Sequence, residues 1–136
     1  MTLQFIPHAL PLKEVIFVGI DVHLRSYAVT AIKEVVIKKH WRMAACPEQL
    51  VSKLRNLFPV EAIRTVYEAG FSGFVLHRYL ESQGICNIVV NPASVAVVKG
   101  NRVKTDKIDS KKLAEYLAKN LLKGIRIPSQ EEEFAP

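Results

Sequence analysis

Apolar residues fall in short clusters along this chain, and the clusters switch between strand-like and helix-like spacing. Val15-Ile16-Phe17-Val18-Gly19-Ile20 is a continuous apolar run that stops at Asp21. Such a run suits a strand buried on both faces better than an amphipathic helix. Tyr27 to Ile32 and Val35 to His40 are β-branched and aromatic runs separated only by Lys33-Glu34. The spacing predicts an antiparallel hairpin, although Lys and Glu are not favoured turn residues. Three consecutive strands are the simplest reading.

Helical spacing begins at Pro47-Glu48, with Leu50, Leu54 and Leu57 on one side, and Pro59 closes the segment because proline cannot continue a helix. Ala62 to Tyr67 then reads as a short strand ending at Glu68. Ser72 is the expected cap of a helix carrying Val75, Leu76, Tyr79 and Leu80, and Gly84 closes it ahead of a strand from Ile85 to Val90. Asn91-Pro92 reads as cap and first residue of a short helix. Thr105 is expected to cap the last helix, which runs through Leu113, Leu117 and Leu121 to Gly124. The order βββαβαβαα predicts an α/β fold: a mixed five-stranded sheet with three antiparallel strands first and helices on both faces. Residues 1–14 read as an extension, 15–124 as the domain, and 125–136, with two prolines and Glu131-Glu132-Glu133, as a tail or linker.

Composition narrows the class. The 136 residues are 49% hydrophobic and 24% charged, ordinary values for one soluble domain with one core. Nineteen Lys and Arg against 13 Asp and Glu give +6, which favours a polyanionic partner such as nucleic acid. Cys46 and Cys86 lie far apart without CxxC spacing, so neither a disulfide framework nor a zinc site is suggested, and buried, reduced thiols in a cytoplasm are expected. No basic start precedes a long apolar stretch, and no run approaches the ~20 residues needed to cross a bilayer. The expectation is a cytoplasmic protein without a membrane segment.

The candidate chemistry lies in four carboxylates. Acids at the carboxyl end of a strand point toward the edge where open α/β sheets bind ligands, and Asp21 and Glu68 occupy such ends. Asp106 and Asp109, three residues apart, are expected to share one face of the last helix's first turn. Each has a structural alternative: a strand-turn cap for Asp21, a lysine pair for Glu68, a favourable helix dipole for Asp106 and Asp109. Gathered together, carboxylates ~4 Å apart repel by roughly 4 kcal/mol per pair at an effective dielectric near 20. A hard divalent cation, Mg²⁺ or Mn²⁺, offsets that repulsion and takes oxygen ligands, including substrate phosphate oxygens. Lys99, Arg102, Lys104, Lys107, Lys111 and Lys112 surround the two aspartates within fourteen residues. That basic stripe reads as a grip on a nucleic-acid backbone, with a solvated basic loop as the alternative, and Gly100 and Asn101 predict a flexible stretch within it.

Three motifs carry a resemblance to a known family. Val18-Gly19-Ile20-Asp21-Val22 resembles an opening "GIDV" strand, Tyr67-Glu68-Ala69 an "E-A-(T/S)-G" strand end, and Val90-Asn91-Pro92 followed by Lys104-Thr105-Asp106-Lys107-Ile108-Asp109 a "VNP…KTDxxD" pattern. Together, over about residues 15 to 122, they resemble the DEDD insertion-sequence transposases and Piv/MooV-type DNA invertases. The resemblance implies a RuvC-type, RNase H-like fold. It also implies that Asp21, Glu68, Asp106 and Asp109 are catalytic ligands of Mg²⁺ in DNA strand cleavage and transfer. Further implied are DNA as partner, a guide RNA in some relatives, homo-oligomers, and a serine-bearing carboxyl-terminal domain following this amino-terminal half. Two features depart from the family: His23 replaces a small residue, and Phe71-Ser72-Gly73 follows Gly70 where a Gly-Tyr pair is usual.

Competing readings are a stand-alone RuvC-like junction nuclease and a non-catalytic nucleic-acid-binding remnant. A sugar-kinase or actin-like ATPase also opens on "GID", but no phosphate-binding glycines follow Asp21. Beside the acids, His23 is a candidate acid, base or ligand, with surface polar residue as the alternative. Trp41 and Tyr67 are candidate base-stacking aromatics, with core packing as theirs.

Overall fold

A computed structural model describes residues 14–99 and 109–133. The chain runs β1 (Val15–Val22), β2 (Ser26–Lys33), β3 (Val36–Ala44), α1 (Pro47–Leu57), β4 (Ala62–Glu68), α2 (Val75–Ser82), β5 (Cys86–Val90), α3 (Pro92–Lys99), α4 (Ser110–Ala118) and α5 (Gln130–Glu133). The strands form one mixed sheet in the order β3-β2-β1-β4-β5. β1, β2 and β3 pair antiparallel, whereas β4 pairs parallel with both β1 and β5. Helical crossovers are what parallel neighbours require, and α1 and α2 supply them. The expected α/β sheet with three antiparallel strands first is therefore observed.

β1 is the central strand, and its first six residues are buried, as a continuous apolar run predicts. Ile16, Val18 and Ile20 face one side, where they meet Leu50 and Leu54 of α1 and Leu76 and Leu80 of α2. On the opposite side Val66 and Val90 meet Val95 of α3 and Leu113 of α4. Helices thus cover both faces. Gly19 belongs to this second side, and a Cβ there would run into the backbone carbonyl of Ser110, lie 2.6 Å from the Ala114 nitrogen and 2.9 Å from the Leu113 Cβ. Only a glycine lets α4 ride directly on the main chain of β1.

Several boundaries differ from expectation. Lys33 pairs with Val36, so the hairpin turns at Glu34-Val35, both with positive φ (52° and 60°), rather than at Lys33-Glu34. Two positive φ values are what a tight two-residue hairpin demands, and a β-branched residue is poorly suited to one, which hid the turn. β3 also runs on to Ala44 instead of stopping at His40. α2 begins after Phe74 with no side-chain cap, so Ser72 does not cap it. α4 is capped by Asp109 and gives way at Asn120, whose φ is 58°, well before Gly124. Thr105 lies outside the described residues.

The segment expected to be a loose tail is held against the domain over residues 125–133. The Ile125 amide donates to the Val89 carbonyl (2.8 Å), Arg78 donates to the Pro128 carbonyl (3.0 Å), and Arg78 and Glu133 form an ion pair. Ile125 and Ile127 pack on the core. Gly124 permits this path, since a Cβ there would come within 3.0 Å of the Ile88 Cβ. Both cysteines are free, and Cys86 is exposed rather than buried, because it opens β5 at the sheet border. Among the described residues no helix is long and apolar enough to cross a membrane.

Candidate functional site

Side chains two apart in a strand share a face, which decides where the acids stand. Gly19 faces α4, and therefore so does Asp21. Val66 of β4 packs with Leu113 of α4, and therefore Glu68 lies on that same face. The parallel register pairs Ile20 with Tyr67, so Asp21 and Glu68 follow at equivalent positions on neighbouring strands. Asp109 sits at the start of α4, the helix lying across this face. Asp21 and Asp109 line one cleft of about 460 Å³ together with Thr30, His40, Arg42 and Lys111. Three of the four predicted carboxylates are thus brought to one end of one sheet face.

The fourth, Asp106, lies outside the described residues, as do Arg102, Lys104 and Lys107 of the basic stripe. Lys99 ends α3. Lys111 and Lys112 occupy the first turn of α4, where Lys112 pairs with Glu115 (3.5 Å). Asp109 is the N-cap rather than a first-turn residue, and its Oδ1 accepts from the Lys112 amide (2.9 Å). One such bond leaves most of a carboxylate's acceptor capacity unused. Asp21 is only 13% exposed, and His23 Nε2 donates to its Oδ2 at 3.0 Å. His23 is therefore Asp21's partner, a role that its i+2 position did not reveal. Among the described residues no three histidine, cysteine or acidic side chains form a ready-made metal cage.

Behind the acids stands a polar chain that sequence alone did not show. Thr30 Oγ1 lies 2.7 Å from Ser110 Oγ and 2.7 Å from His40 Nδ1. Thr30 and Ser110 are both buried, so each hydroxyl needs its partner. The chain links β2, β3 and the first residue of α4, and so fixes the start of the helix that carries Asp109. Its one legible trace was a buried-looking strand interrupted by Thr30.

The loop after Glu68 is pinned by Tyr67. Its hydroxyl donates to the Gly73 carbonyl (3.1 Å) and accepts from the His77 amide (3.2 Å), and burial pushes its pKa up to about 12. Tyr67 is fully buried, a core residue and not a stacking platform. Trp41 is half-buried, with the Lys53 ammonium 5.4 Å from its ring centroid. Of the residues now seen at the cleft, His40 and Arg42 carried a signal in the run Lys38-Lys39-His40-Trp41-Arg42, four basic or titratable side chains in five.

No protein-family model matches the chain. In an alignment of 116 residues that takes in 78% of the chain, it is 32% identical to a transposase for an insertion sequence element of Leptospira borgpetersenii, of which it covers 32%. It is also similar to two Sinorhizobium fredii proteins provisionally named transposases. One is 33% identical over 68% of this chain and 24% of that protein, the other 36% identical over 54% and 19%. The chain spans about a third or less of the length of these relatives, and the similarity supports a relationship to transposases.

Proposed function

We propose that this chain is the catalytic RNase H-like, RuvC-type domain of an insertion-sequence transposase, and that Asp21, Glu68 and Asp109, with Asp106, hold Mg²⁺ or Mn²⁺ for DNA strand cleavage and transfer. The observation that carries this reading is the placement of Asp21 and Glu68 side by side on the face of the sheet where Asp109 begins α4. The strand order β3-β2-β1-β4-β5, with β2 antiparallel to β1 and β3 antiparallel to β2, supports the fold assignment, and the transposase relatives support the activity.

The donor set fits a hard cation: carboxylate oxygens only, from three separate elements, with Asp21 and Asp109 at an open cleft with room for phosphate and water. When bound, the ion would polarise a phosphodiester and neutralise charge developing on its oxygens. The protein's own part is geometric. β1 and β4 hold Asp21 and Glu68 in a fixed register, Gly19 sets the approach of α4, and the Ser110–Thr30–His40 chain holds that helix's first residue. His23 orients the Asp21 carboxylate. Lys99, Arg102, Lys104, Lys107, Lys111 and Lys112 would bind the DNA backbone, and a guide RNA would use the same charge.

The test is metal-dependent nicking of DNA by the intact transposase and by its Asp21→Asn and Glu68→Gln variants. Loss of nicking in both, with unaltered folding by circular dichroism, is the expected result. Wild-type nicking in either variant refutes the ligand assignment. A second reading is favoured by the Asp109 cap bond: a nucleic-acid-binding module whose acids are structural. DNA binding without any Mg²⁺ or Mn²⁺ uptake by the protein would establish it instead.

A further inference from the structure

We infer that the cleft between β3 and the first turn of α4 is a track for the nucleic-acid strand on one side of the reacting phosphodiester, with Arg42, His40 and Lys111 contacting its phosphate oxygens. The inference rests on the carboxylates being the reacting centre, and it adds Arg42 and His40 of β3 to Lys111 of the basic stripe.

Register places the parts. Asp21 pairs with Ala28, and Ala28 pairs with Arg42, so the three residues form one row across β1, β2 and β3 on the face covered by α4. Neighbouring strands are ~4.8 Å apart, which sets Arg42 about 10 Å from Asp21 along the row, so that one strand can place a nearby phosphate at Arg42 while another lies at the acids. Between them stands only the methyl group of Ala28, leaving a shallow floor. The next row is Gly19, Thr30 and His40, again without a large side chain near β1. The cleft of about 460 Å³ lies over these two rows.

The two cations there, Arg42 and Lys111, have no other evident task. Arg42 and Lys111 make no ion pair among the described residues, although Asp21 and Asp109 line the same cleft. Lys111 stands in the first turn of α4, where the helix dipole disfavours a positive charge, so helix stability does not explain it. His40 Nδ1 is committed to Thr30 Oγ1. That leaves Nε2 as the ring nitrogen available to a phosphate oxygen. Guanidinium and imidazole on the β3 side and ammonium on the α4 side, with carboxylates at the end of the row, is the polarity of a site that holds a phosphate chain and presents one linkage to the acids.

The test uses a fluorescein-labelled DNA oligonucleotide and anisotropy in EDTA, so that no metal contributes to binding. Titrated against salt, Arg42→Ala/Lys111→Ala should lower the log–log slope of affinity by about 1.4–1.8, at ~0.7–0.9 per phosphate contact. Arg42→Lys/Lys111→Arg should keep it. Arg42 and Lys111 are both exposed, and equal melting temperatures exclude a folding effect. An unchanged slope in the alanine pair overturns the track, while the nicking assay on Asp21→Asn still decides the catalytic reading separately. Absence of any salt-dependent binding by the wild-type protein overturns both.

Discussion

Gly19 on β1 and Ser110 on α4 meet main chain to main chain, and no side chain larger than hydrogen fits between them. That contact sets how far the N-cap Asp109 stands from Asp21, two residues beyond Gly19. Gly19→Ala is expected to push α4 outward and destabilise the domain by about 3 kcal/mol, the upper end of ordinary overpacking. Chemical denaturation checks the loss. Metal uptake should fall as well, even though no carboxylate is altered.

The Ser110–Thr30–His40 chain predicts strong energetic coupling. Thr30→Val leaves the Ser110 hydroxyl and a ring nitrogen of His40 without their partner, at about 1–3 kcal/mol for an unsatisfied buried group. Ser110→Ala should cost a similar amount. The double variant should cost less than the sum, with an interaction energy on the order of 0.5–3 kcal/mol, measured by a double-mutant cycle in urea.

If the acids hold a divalent cation, the apo protein should be stabilised by adding it. Mg²⁺ or Mn²⁺ at tenfold its dissociation constant should contribute about 1.4 kcal/mol, read as a rise in melting temperature that EDTA reverses. Asp21→Asn should abolish the rise. A cation effect equal in both proteins would locate binding elsewhere.

Acid should weaken the fold through His77. Asn87 Nδ2 lies 2.8 Å from His77 Nδ1, and Asn87 Oδ1 is already the acceptor of the Thr65 hydroxyl (2.6 Å). The amide therefore presents its NH₂ group to an imidazole nitrogen that must be unprotonated. Burial, more than any neighbouring charge, lowers the pKa of His77. The unfolded chain thus binds a proton more readily than the folded one. Stability is complete above the unfolded value near 6.5 and declines as pH falls through the folded value. Urea midpoints between neutral and mildly acidic pH should show that decline, and His77→Gln should flatten it.

Much of the sheet was legible because its signal is local. The apolar run at Val15, the proline brackets around α1 and the Asn91-Pro92 start of α3, where Asn91 Oδ1 accepts from the Ala93 amide (2.8 Å), each declare themselves within a few residues. The positions of Asp21, Glu68 and Asp109 were legible for the same reason, as strand ends and a helix start. What was missed depends on partners far along the chain. Thr30 and Ser110 are 80 residues apart, and Arg42 joins the cleft only through the register of two hairpins. The turn at Glu34-Val35 was hidden by residues that tight turns rarely use, and the path of residues 125–133 by the absence of any periodic pattern there.

That path has a consequence for how the domain behaves among its own copies. On the β5 side the border of the sheet is already occupied by residues of the same chain, so a stranger's backbone finds the Val89 carbonyl taken. On the β3 side the border carries Lys38, Lys39 and Arg42, and two such borders brought together repel. Edge-to-edge pairing through β3 is thereby disfavoured, and the same charge would suit the polyanion proposed above.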